Sequence, residues 1–341
     1  MKLPVFSSTI RRKEMDAVLT CMVTEKIGPG EINRKLIQLV RENFQVAGAA
    51  AFRSASIALS YALAALDFPK DSGIIISALA PAWQYQTVKQ LGHIPIVIDV
   101  DPETALITPE AVSDGIQRGG RLLLLHETFG FLPDMEAILA LNIPVIEDVS
   151  QSAGSVRGEK QAGQFGIFSI LGLEERDLLT GGGGAVLIAP NRRESLVLKR
   201  FADEAPLTDI LPDINSALAY IQMKEMARNM LLRRDIQSLY VRSLMQGRHH
   251  TITQPGEGIP SVYSFPVILE SGMKDVKLYA GKKDIEIENA FSGSVAALLG
   301  ENLENCKNAA SLLMRCVLFP LYPRLGNKNA AKIGKILATL P

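Results

Sequence analysis

Residues 143–154, IPVIEDVSQSAG, are the stretch on which the fold turns. An apolar run ends on two carboxylates, Glu147 and Asp148, and passes at once into small polar residues and a glycine. A run with so little polar character suits a strand covered on both faces, and the polar tail suits the turn that follows it. In open α/β sheets ligands gather just beyond the carboxyl ends of such strands, so Asp148 is a candidate binding residue. An Asp at this place serves equally well to cap the turn after it, and the surrounding chain has to decide between the two roles.

On either side, residues 73–77 (GIIIS), 94–100 (IPIVIDV) and 122–125 (LLLL) are further short apolar runs, with helical stretches between most of them. Residues 54–66 (SASIALSYALAAL) have the Ala/Leu spacing of a buried helix and end at a Pro-Lys-Asp-Ser-Gly turn. This alternation predicts a mainly parallel sheet with helices on both faces, a three-layer α/β domain. Two more strands, around 166–170 and 185–188, flank a loop and the glycine run 181–184, which needs only to make a tight turn. Residues 213–240 read as one long amphipathic helix leading out of this domain. A strand over 263–269, then a helix and a strand within 276–287, predict a small α+β domain. The expected division is 1–244, including the N-terminal segment, and 245–341.

Composition narrows the function classes. Of 341 residues 47% are apolar, and Lys plus Arg equals Asp plus Glu at 36 each, with no dense basic tract. That balance excludes nucleic acid as the main ligand and favours a small molecule or a protein partner. Three cysteines and four histidines give no metal-ligand spacing, so no metal is expected and buried thiols are. Charges sit where a secretory signal needs an apolar core, and no run of about 18 apolar residues occurs. A cytoplasmic protein with no membrane span is the expectation.

An ordered series of short motifs resembles the DegT/StrS sugar aminotransferases along nearly the whole chain. They are Gly28-Pro-Gly-Glu31, Ser54-Ala-Ser56, Pro81-Ala-Trp-Gln-Tyr85, Val100-Asp-Pro-Glu103, Phe129-Gly130 with Asp134-Met135, Val145-Ile-Glu-Asp148 with Gln151, Phe168-Ser169, the glycines 181–184 and Phe319-Pro-Leu-Tyr-Pro323. The resemblance implies the aspartate aminotransferase-like PLP-transferase fold, a homodimer and a pyridoxal phosphate (PLP) site. It implies that Asp148 pairs with the pyridine nitrogen and Gln151 packs by the ring hydroxyl. It further implies that Ala55, Ser56 and Ser169 hold the phosphate and that Tyr85 stacks on the ring, with Trp83 as the neighbouring aromatic.

The departure from the family falls after Ser169. There a lysine forms the internal Schiff base; counting back from Gly181 puts Arg176 at its place, and counting forward from Phe168-Ser169 puts Glu174 there. No lysine occurs in residues 161 to 198. A guanidinium stays protonated and cannot act as the nucleophile or base, so no catalytic residue is assigned. The stretch 207–214, LTDILPDI, also lacks the pattern of the family's cross-subunit arm, and His126 is one residue out of the family register and receives no role. Three readings stand. The first is a PLP- or PMP-binding protein, noncovalent, acting on a nucleotide-linked sugar. The second is a non-catalytic sugar- or cofactor-binding subunit, alone as a homodimer or beside an active paralogue. The third is an aminotransferase with a lysine recruited from elsewhere.

Overall fold

The computed structural model describes residues 2–341. The first part of the chain contains helices α1 (Arg12–Val23), α2 (Glu31–Phe44), α3 (Ala55–Ala65), α4 (Ala82–Gln90), α5 (Pro109–Gln117) and α6 (Met135–Ala140). Between and after them lie strands β1 (Gly48–Phe52), β2 (Gly73–Ser77), β3 (Ile94–Ile98), β4 (Gly120–His126) and β5 (Val145–Asp148), a small hairpin of β6 (Val156–Arg157) and β7 (Lys160–Gln161), then β8 (Phe168–Gly172) and β9 (Ala185–Ala189). Seven of these strands form one sheet in the order β1-β9-β8-β5-β4-β2-β3. The pairs from β3 to β8 are parallel, while β9 runs antiparallel to both neighbours. The expected α/β class, a large mainly parallel sheet between helical layers, is what forms. The cause is visible in β2, β8 and β9, in which every residue is buried, so both faces of the sheet must be covered.

Residues 213–240 do not form one helix. They divide into α8 (Asp213–Lys224) and α9 (Met226–Leu244), after α7 (Arg192–Glu204), and the chain bends at Glu225. The Glu225 carboxylate is held by Lys13 on α1 at 2.5 Å and by Arg228 at 3.2 Å, which pins the bend. The break lets α8 pack on α1 and α2 while α9 turns to meet the C-terminal helix. Asp213 at the start of α8 accepts from the amides of Gly30, Ile32 and Asn33, and so satisfies the open amino end of α2.

Beyond residue 245, β10 (Phe265–Ile268), β11 (Glu288–Asn289) and β12 (Cys316–Phe319) form an antiparallel sheet in the order β10-β12-β11. Helices α10 (Met273–Gly281), α11 (Val295–Leu299), α12 (Lys307–Arg315) and α13 (Asn327–Leu337) accompany it. The strand expected before residue 287 falls just after it, at Glu288–Asn289. At the other end of the chain, Leu3 donates to Asp284 and accepts from Glu286, so this N-terminal residue is hydrogen-bonded to the C-terminal segment. All three cysteines are buried and free. Among the described residues no helix is long and apolar enough to cross a membrane.

Candidate active site

The carboxyl ends of β4 and β5 set the site. These strands pair in parallel with His126 level with Asp148, so both side chains leave the sheet on one face about 5 Å apart. His126 Nδ1 lies 2.9 Å from Asp148 Oδ2, and both side chains are sealed from solvent. Gln84 Nε2, on α4, donates to the same oxygen at 2.7 Å. The other oxygen, Oδ1, accepts from the Ser150 amide at 3.1 Å and from its hydroxyl at 2.5 Å. Burial by itself raises the Asp148 pKa, but the His126 charge and the hydrogen bonds from His126 and Ser150 outweigh it and hold the carboxyl below its usual range.

Alternation along β5 sends Glu147 to the opposite face, where it accepts from the amides of Gly163, Phe165 and Gly166. Ser169 is level with Glu147 in the neighbouring strand, and its hydroxyl donates to Glu147 Oε1 at 3.1 Å. Ser169 is therefore turned away from Asp148. Glu127, next to His126, is also fully buried; burial first, and Glu147 second, push its pKa well above that of a free carboxyl.

Above Asp148 is a chamber of about 300 Å³ lined by Ser54, Ala55, Ser56, Trp83, His126, Asp148, Gln151, Glu174 and Asp177, among others. Ser54 caps α3 by accepting from the Ile57 amide at 3.1 Å, which leaves the amides of Ala55 and Ser56 open at the helix end. The Ser56 hydroxyl accepts from Thr87 at 2.8 Å. Trp83 and Tyr85 are two residues apart on α4 and so point to different sides of it; Trp83 lines the chamber, while Tyr85 packs in the core with Lys89 over its ring.

A second chamber of about 260 Å³ adjoins the first through Pro81, His126 and Gln151. Its walls include Phe129, Tyr263, Phe291 and Arg176. Arg176 is half exposed; its guanidinium pairs with Glu288 at 2.5 Å and lies 5.6 Å from the Phe6 ring. Between the two chambers Gln151 Oε1 accepts from the Phe129 amide at 2.7 Å. Of the two counts along the loop after β8, then, Glu174 reaches the chamber that holds Asp148 and Arg176 reaches the adjoining one.

The structure can be placed among known proteins at this point. The model of the DegT/DnrJ/EryC1/StrS aminotransferase family matches residues 8–338. The chain belongs to that family. An L-glutamine:2-deoxy-scyllo-inosose aminotransferase of Micromonospora echinospora is 27% identical over 165 residues, 47% of this chain and 39% of that protein. The aminotransferase TlmJ of Streptoalloteichus hindustanus has a similar structure, with a TM-score of 0.90 at 16% identity over 99% of this chain and 98% of that one. So does an E. coli GDP-4-keto-6-deoxy-D-mannose-3-dehydratase with bound hydrated PLP, with a TM-score of 0.87 at 17% identity over 99% of this chain and all of that one (100%). At these identities the two structures establish the fold alone.

Seen as a DegT/StrS site, the first chamber keeps the outline of a cofactor pocket without its donors. Ala55, Ser56, Asp148 and Gln151 come together around it; Tyr85 and Ser169 lie outside its lining. A carboxylate offers about four lone-pair positions, and four donors of this chain already occupy those of Asp148, so none is left for a pyridinium N–H. No lysine or arginine lines the chamber, whereas Glu174 and Asp177 do. Each unit of phosphate charge at about 5 Å from an ionised carboxylate costs about 3 kcal/mol at an effective dielectric near 20. The open end of α3 contributes only about half a positive charge against this. PLP does not fit these residues. The stretch 207–214 also stays with its own subunit: Leu211 donates to Ala51, Asp209 accepts from Arg53, and Tyr61 donates to the Asp209 carboxylate at 2.9 Å.

Sequence reasoning missed Gln84, His126, Ser150, Glu174's neighbour Asp177 and Trp83. For His126 a signal was present: LLLLH and VIED are neighbouring apolar strands, and each ends on a polar residue that can meet the other across the sheet edge.

Proposed function

We propose that this chain is a sugar-binding member of the DegT/StrS family that does not transaminate, working within nucleotide-sugar or polysaccharide synthesis as a non-catalytic subunit. One observation carries the reading: the chamber around Asp148 contains no amine, and the residue that the loop brings there is Glu174. Without a neutral amine there is neither an imine partner nor a base for the α-proton. The saturated Asp148 argues against even noncovalent PLP or PMP. A nucleotide-linked sugar suits the pair of chambers, with its phosphates toward Arg176, the one cation lining them, and its base among Phe129, Tyr263 and Phe291.

Assembly with a second copy, or with an active paralogue, is supported by α1. Met15, Leu19 and Met22 follow helical spacing, are 55%, 55% and 57% exposed, and line an apolar groove of about 450 Å³ with Ile10 and Leu218. Sedimentation of the isolated chain at micromolar concentration should give a dimer if the partner is a second copy.

Borohydride trapping tests the loss of Schiff-base chemistry. Wild-type protein mixed with PLP should carry no label within residues 161 to 198 and show no aldimine absorbance. Glu174→Lys at millimolar PLP should be labelled at residue 174, while Arg176→Lys, facing Glu288 and the other chamber, should not. A trapped adduct in wild type on any lysine, together with amino transfer, would return the protein to the active aminotransferases.

A further inference from the structure

The residues that exclude a phosphate from the first chamber also make it selective for the opposite charge. We propose that this chamber binds a small polyhydroxylated ammonium compound, an amino sugar or aminocyclitol, with its amine between Glu174 and Asp177 and its ring against Trp83. The inference rests on the sugar-binding reading above and names the ligand's class and orientation.

Three separate features converge. Glu174 and Asp177 stand together at one side of the chamber: the Glu174 amide donates to Asp177 Oδ2 at 2.8 Å, and the Asp177 amide returns to the Glu174 carbonyl at 3.2 Å. Neither carboxylate has a lysine or arginine partner among the described residues. Burial, with Asp148 and Glu174 adding to it against the Glu174 hydrogen bond, pushes the Asp177 carboxyl up to about 8. That is the signature of an acidic site lacking a cation.

His126 supplies the second feature. It is 4% exposed, its Nδ1 is engaged by Asp148, and its Nε2 has no hydrogen-bond partner among the described residues although the ring lines both chambers. A buried ring nitrogen with no protein partner at the wall of a cavity is placed for a ligand hydroxyl. The third is Trp83, whose indole gives the chamber an apolar wall suited to the C–H face of a sugar ring and to a nearby ammonium. The open amides of Ala55 and Ser56 and the hydroxyl of Ser56 remain for ring oxygens and hydroxyls.

Ammonium binding beside Asp177 favours its ionised form, so at pH 7 the ligand should displace a proton from that carboxyl into the buffer. Calorimetric titration of the full-length chain with glucosamine, glucose, inorganic phosphate and PLP tests the assignment. Glucosamine should bind at least about tenfold more tightly than glucose. Its apparent enthalpy should change with the ionisation enthalpy of the buffer, and phosphate and PLP should not compete. Glu174→Gln and Asp177→Asn should each bring glucosamine toward the affinity of glucose, and Asp177→Asn should abolish the buffer dependence while leaving the melting curve cooperative. Equal affinity for the two sugars, no glucosamine binding at millimolar concentration, or competition by PLP overturns the inference. Borohydride trapping separates the two ideas: an unlabelled protein that fails to prefer glucosamine loses the amine site and keeps the loss of transamination, whereas a labelled one loses both.

Discussion

The end of β5 and the loop that follows β8 face each other across one chamber, and they are held in different ways. Asp148 is locked by partners from three other positions in the chain, His126 on β4, Gln84 on α4 and Ser150 in its own turn. The loop is ordered by its own backbone: Leu173 donates to Gly184 and accepts from Gly181 and Gly183, and Leu178 is tied to Ser150. Gly182, Gly183 and Gly184 adopt left-handed φ values of 69°, 126° and 115°, which the turn requires and which other residues rarely take. The strand end could not change without unpairing buried charge. The loop could exchange every side chain from 174 to 177 and keep its path, because its backbone bonds do not involve them, apart from the Asp177 carboxylate. Chemistry was therefore lost in the loop while the carboxylate beneath it stayed.

The largest effect should come from breaking the strand end. His126→Ala removes the partner of a buried carboxylate and should cost about 3 to 5 kcal/mol in urea denaturation at neutral pH. PLP should not recover any of it. If PLP restored the midpoint, Asp148 would have a free position for the cofactor and the contrast between the two regions would fail.

The parts of the fold legible in the sequence are those that depend on apolar patterning. Runs such as GIIIS and AVLIA could only be strands covered on both sides, and they are. The break between α8 and α9 was not legible, because it depends on Lys13, more than two hundred residues away, holding Glu225. In the site, Asp148, Gln151 and the amino end of α3 were found from local order alone. Ser169 and Tyr85 came from motif position, which does not say which face a residue takes; strand register turns the first toward Glu147, and helix rotation puts Trp83 rather than Tyr85 at the chamber. The choice between Arg176 and Glu174 depended on how the loop folds back on Leu173, which spacing does not reveal.

A smaller effect is expected at the joint between the two regions. Ser150 Oγ donates to Asp148 and accepts from the Gly172 amide at 2.9 Å, at the point where β8 enters the loop. Ser150→Ala leaves that amide and one carboxylate position without partners, at a cost of about 2 kcal/mol. Hydrogen exchange should speed up both at Gly172 and within residues 173–184. Faster exchange at Gly172 alone would mean that the loop is stable independently of the strand end.

The smallest effect, and the most specific to the loop, is the pH dependence of Asp177. Its carboxyl is raised to about 8 in the folded chain and lies near 3.9 when unfolded. Between those values the folded protein keeps a proton that the unfolded chain has released, so this group's contribution to stability is full below about pH 4 and is lost as pH rises through 8. Asn at this position cannot ionise and can still accept from the Glu174 amide. Asp177→Asn should therefore melt with wild type near pH 4.5 and above it at pH 8.5. Because Asp177 is partly exposed, solvent screening limits the gain to about 1 kcal/mol, or about 2 °C in a chain of this size. A variant that melts below wild type at pH 8.5 would show that the ionised carboxylate is stabilised by a cation of the protein itself, and the loop would then be as fully partnered as the strand end it faces.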